Sequence, residues 1–160
     1  MIAPPKTYAD WAALLRTFER GTADEDVLHA LRTGTLAWQS GVAERFARRF
    51  SHAINARINA ASDRFDRDMQ HASDERGTIS ALLSLRRSLS FLHAAADLPT
   101  LPAEQRASFA GLVQHAADHM QESLENSAKS DRSGKMSDVV RSHRVNVFED
   151  HLLFKAEERL

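Results

Sequence analysis

The stretch LVQHAADHMQE at 112–122 carries two histidines four residues apart and a carboxylate three residues further on. On a helix, positions i, i+4 and i+7 share one ridge. Imidazoles at that spacing, completed by a carboxylate one turn later, are a ligand set that zinc or iron accepts. Metal sites in helical bundles, however, project into the core and draw ligands from several helices. The core direction of this segment is set by Phe109, Val113, Ala116 and Met120, and the ridge lies to one side of it. His52, His71 and His93 have no spacing that selects one of them as a further ligand. The Glu-x-x-His pairs of di-iron bundles are missing, with DVLH at 26–29 and DMQH at 68–71 the nearest approximations. His115, His119 and Glu122 are therefore weak metal candidates, and the expectation is a protein without a metal or other cofactor.

A second cluster has a different chemistry. In AERFARRFSHAINAR at 43–57, Arg45, Arg48, Arg49 and His52 fall on adjoining turns of one helix flank while Phe46 and Phe50 face away. Guanidinium groups grouped this way can hold phosphates, each contact adding a salt-dependent increment of affinity. Arg86 and Arg87 would extend the set if their helix packed alongside. This supports an alternative reading in which the chain grips nucleic-acid backbone. Set against it is a plain solvated basic face opposite the acidic segment 101–128, in a chain whose net charge is only −1 from 21 basic and 22 acidic side chains.

Other catalytic and binding patterns fail on their details. A helix-turn-helix centred on Gly34 would place His29, Thr33, Thr35, Ser40 and Glu44 where such a motif needs apolar packing. SDRSGK at 130–135 lacks the first glycine and the preceding strand of a phosphate loop. No Ser-His-Asp or paired-carboxylate spacing stands out. The absence of cysteine removes disulfides, thiolate zinc sites and cysteine nucleophiles. The expected protein is thus non-enzymatic, with a metal-dependent helical-bundle enzyme using His115 and His119 as a further alternative.

These residues must be positioned by helices. Six glycines and four prolines in 160 residues, abundant Ala, Leu, Arg and Glu, and no alternating β-branched run specify an all-α fold. TYAD at 7–10 and TADE at 22–25 each fit an N-cap with an acid three residues on, and Gly21 and Gly34 fit positive-φ helix ends. Two short N-terminal helices follow, near 8–20 and 24–32. One very long helix is expected over about 35–75, with the stripe Val42, Phe46, Phe50, Ile54, Ile58, Ala61, Phe65, Met69 and Ala72. Gly77 and Thr78 read as its stop and the next cap. A helix over 79–97 carries Leu82, Leu85, Leu89, Leu92 and Ala96, and Pro99 and Pro102 delimit a loop before the segment 102–128. Short connections between long helices imply an antiparallel helical bundle. The organisation expected is a bundle over 1–126 (a helical hairpin over 1–34 and three long helices over 35–126), a polar basic linker over 127–144, and an amphipathic C-terminal helix over 145–160.

The helix over 79–97 is apolar on two sides, since Leu83 and Phe91 lie opposite the leucine stripe. Such a helix is sandwiched between neighbours, either within the bundle or against a second chain. Leu152, Leu153 and Phe154 repeat the pattern, because three consecutive apolar residues cannot all face one core. The leading expectation is accordingly a helical interaction or assembly protein, with coiled-coil-like packing, that self-associates as a homo-oligomer or docks in a larger complex through Leu83, Phe91 and the C-terminal helix. No apolar run has the length of a signal peptide or a membrane span, so no membrane partner is expected and the location expected is cytoplasmic.

Overall fold

In a computed structural model, which describes residues 2–35, 40–99 and 101–130, the chain is all-helical. The helices are α1 (Tyr8–Arg20), α2 (Asp24–Thr33), α3 (Ser40–His71), α4 (Glu75–Ala96) and α5 (Ala103–Ser130), with no strand among the described residues. They form a helical bundle, as the periodicity requires. The proposed C-terminal helix, with Leu152, Leu153 and Phe154, lies outside the described residues, as does nearly all of the 127–144 linker. α5 continues through Ser130, four residues past the expected boundary at 126. Two compact units divide the chain: Met1–Asn59 with Leu92–Val113, and Ala60–Phe91 with Gln114–Leu160.

In the first unit, α1 starts where its sequence says it should. The Asp10 N–H donates to Thr7 Oγ1 at 3.2 Å and the Thr7 N–H donates to Asp10 Oδ2 at 2.9 Å, a complete capping box. It ends at Gly21, whose φ of 70° and N–H bond to the Phe18 carbonyl close the last turn. The start of α2 differs from the sequence expectation. Its N-cap is Ala23, in the left-handed region at φ 56° with no side-chain cap, rather than Thr22. Gly34 also differs, because its backbone is extended (φ −69°, ψ 152°). Glycine is required there by contact: a Cβ would sit 2.6 Å from Pro5 Cγ and 2.8 Å from Trp11 Cζ2. The neighbouring Thr35 N–H donates to the Pro5 carbonyl at 2.9 Å, so the N-terminal segment closes over the end of α2.

An aromatic cluster joins these elements. Trp11 meets Phe46 at 5.2 Å between centroids, Phe18 meets Phe50 at 5.6 Å, and Phe50 meets both Phe46 and Phe109, the latter at 4.9 Å. All five rings are essentially inaccessible. Edge-on contacts of this kind add about 0.5–1.5 kcal/mol each beyond area burial. Arg57 of α3 joins α1 and α2 from outside the cluster. Its guanidinium makes a two-pronged bond to Asp24 (3.0 and 2.8 Å), donates to the Phe18 carbonyl at 3.2 Å, and lies 5.7 Å from the Phe18 ring centroid. At Gly21 any Cβ would run into that guanidinium.

The second unit packs Ala61 of α3, Leu82, Leu85 and Leu89 of α4, and Ala117 and Leu124 of α5 into one apolar cluster flanked by Phe65 and Met120. The α5 stripe therefore passes through Ala117, fully buried, rather than Ala116, which is half-buried. α3 stops at His71, earlier than expected, and α4 begins at Glu75. The cap is Asp74, whose Oδ1 accepts the Gly77 N–H at 2.8 Å. Gly77 is thus inside the first turn of α4, where a Cβ would lie 3.2 Å from Ala72. Only three residues separate α3 from α4, which makes them an antiparallel pair in this unit.

Replacing Arg57 by Ala strands the Asp24 carboxylate and uncaps α1, and should cost about 2–3 kcal/mol in urea unfolding. Thr7→Ala, which loses only an exposed cap, should cost about 1 kcal/mol.

Candidate anion-binding surface

Phe46, Phe50, Ala53 and Ile54 face the core and fix how α3 is turned about its axis. At 100° per residue, Arg45, Arg48, Arg49 and His52 then fall within an arc of about 100° on the other side. All four are exposed. Together with Tyr8 and Glu19 they line a shallow surface concavity of about 500 Å³ in the first unit. Tyr8 is half-buried at the start of α1, and Glu19 stands eleven residues later, three helical turns along the same face.

Electrostatically the site is lopsided. Among the described residues no carboxylate lies within ion-pair distance of Arg45, Arg48 or Arg49. Glu19, the one acid among the described lining residues, is 3.7 Å from His52 Nδ1, beyond hydrogen-bond distance. Three guanidiniums on one turn and a half of helix repel one another, and a bound anion would relieve that repulsion.

Arg57, the last residue of the same 43–57 stretch, is diverted to Asp24 and the Phe18 carbonyl. Arg86 and Arg87 are not part of the lining; they lie on α4 in the second unit, half-buried and exposed respectively. Tyr8 and Glu19 were invisible to a reading of α3 alone. Their common face on α1 is legible from the eleven-residue spacing, but their place beside the arginines depends on how α1 packs on α3.

The remaining candidates lie in the second unit. His115, His119 and Glu122 are exposed on α5. His119 and Glu122 line a shallow depression of about 630 Å³ with Ser123, Asn126, Ser127 and Ser130, and His115 does not. Among the described residues no group of three His, Cys, Asp or Glu side chains converges as a metal site. Asp118 is engaged by Gln114 Nε2 at 2.9 Å. Leu83 and Phe91 are both half-buried on α4. No described helix is long and apolar enough to cross a membrane.

Comparison of the chain with protein-family models, curated proteins and solved structures finds no match.

Among the described residues two titrating groups are perturbed, in different pH ranges. Burial of His93, near the C-terminal end of α4, lowers its pKa below the ordinary 6.5, and the negative charge of Asp97 offsets part of that. The backbone N–H and hydroxyl of Thr7, with help from Lys6, lower the Asp10 carboxyl below its ordinary 3.8. For His93 the unfolded chain binds the proton more readily. Its contribution to stability is therefore complete above pH 6.5 and is lost as pH falls below that value. The Asp10 contribution is complete above pH 3.8 and is lost only in stronger acid. Urea unfolding between pH 7 and 5 should show a decline for the native chain that His93→Gln flattens and Asp10→Asn leaves in place.

Proposed function

We propose that this chain is a helical interaction protein, acting without chemistry of its own, that docks an anionic partner on the concavity of Arg45, Arg48, Arg49, His52 and Tyr8. The observation that carries the reading is three exposed arginines gathered on one helix face with no carboxylate, among the described residues, paired to any of them. A charged surface in a chain of net charge −1 selects partners locally and does not attract polyanions from a distance. A cytoplasmic setting belongs to the same proposal. The location of the arginines on a rigid helix, turned by its buried phenylalanines, supports a surface that is ready-formed before the partner arrives.

A second reading, self-association through α4, is favoured by Leu83, which is half-buried opposite the enclosed leucine stripe Leu82, Leu85 and Leu89. It expects a solution mass above the 17.9 kDa of one chain that returns to that value in Leu83→Glu.

The docking reading is tested by anisotropy titrations of a labelled panel: a glutamate-rich peptide, a phosphopeptide and a single-stranded oligonucleotide. At least one should bind more weakly at about 200 mM than at about 50 mM salt, and the loss should be complete in the Arg45→Ala, Arg48→Ala, Arg49→Ala triple variant. Equal binding by native and triple-variant protein across the panel would overturn it.

A further inference from the structure

Resting on that docking reading, we infer that the concavity takes a phosphate monoester on a peptide segment of a partner protein, a phosphorylated serine or threonine. Arg48 and Arg49 stand at i+3 and i+4 from Arg45, so each has its Cβ atom about 5–6 Å from that of Arg45, one on either side of it. Side chains as long as arginine, starting that close together, converge on one small anion more readily than they spread along an extended one. A phosphate monoester carries about −1.5 to −2 charges and three acceptor oxygens, enough for all three guanidiniums. A single carboxylate has one charge and two oxygens, which one arginine satisfies in its bidentate mode.

The surroundings argue against a nucleic-acid backbone. Glu19 sits in the same lining and would oppose a second or third phosphate passing through it. Arg57, the next cation along α3, is committed to Asp24 and cannot extend the track. The concavity, at about 500 Å³ and shallow, is also larger than one phosphoryl group, leaving room for the residues flanking the modified side chain. Tyr8 adds a phenolic hydroxyl donor at its edge. Recognition of phosphorylated segments by arginine clusters is a recurrent mode with this chemistry.

The test uses the full chain and short fluorescent peptide pools with degenerate flanks and a fixed central residue. Phosphoserine, serine and glutamate pools are compared, with a thymidine oligonucleotide and inorganic phosphate as further arms. The phosphoserine pool should bind at least about tenfold tighter than the serine and glutamate pools. Arg45→Ala, Arg48→Ala and Arg49→Ala should each lose about tenfold, Arg48→Lys should recover only part, and Arg87→Ala should change nothing. Circular dichroism confirms that these exposed substitutions leave the helices intact. If the oligonucleotide binds better than the phosphoserine pool, or the glutamate pool binds equally well, phosphate-monoester recognition is wrong while anionic docking stands. If inorganic phosphate alone binds as tightly as the peptide pool, the peptide is not the ligand and the inference also falls. Loss of arginine dependence in every arm removes both readings.

Discussion

The geometry of the first unit depends on the Arg57 guanidinium. It reaches the last turn of α1 through the Phe18 carbonyl and the first turn of α2 through Asp24, while lying over the Phe18 ring. α1 thereby gains a cation at the end where its unpaired carbonyls carry partial negative charge. With the side chain of Arg57 only 13% exposed, those bonds are poorly replaced by water. The same side chain leaves glycine as the residue that fits position 21. One side chain therefore links the end of α1, the start of α2 and α3. The aromatic cluster fills the interior that this arrangement defines, and the outward face of α3 is what remains for recognition.

Much of the architecture was legible in the sequence because helical periodicity is a local signal. The leucines of α4 are buried as their spacing requires, and Phe46, Phe50, Ile54 and Ile58 mark the inner face of α3. Boundaries were less legible. Glu75 is a good helix former and reads as the end of α3, yet Asp74 captures the Gly77 N–H and starts a new helix there. TADE at 22–25 has the residues of a capping box, but Asp24 and the turn before it are recruited by Arg57. In each case a side chain from outside the local window, or a competing cap within it, decided the outcome.

The candidate surface was legible in half. Arg45, Arg48, Arg49 and His52 share a flank by spacing alone, and the inward phenylalanines say which way the flank points. Nothing in residues 43–57 announces Tyr8 and Glu19, because tertiary packing brings α1 alongside. The removal of Arg57 from the surface was hidden for the same reason. Composition alone does not distinguish the four arginines of 43–57, whereas burial and a fixed carboxylate separate Arg57 from the three exposed ones.

Ala23 ties the N-terminal hairpin to a helix distant from it in the chain. An alanine at φ 56° opposes the intrinsic preference of the chain, and the turn from Gly21 to Ala23 has no side-chain cap of its own. Taken as an isolated peptide, the first thirty-odd residues would gain little by adopting this turn. The hairpin geometry becomes favourable when α3 presents its guanidinium, a contact spanning 33 residues of sequence. The turn between α1 and α2 is therefore held by a residue far from it in the chain, so a change at Arg57 in α3 is felt at a bend more than thirty residues earlier.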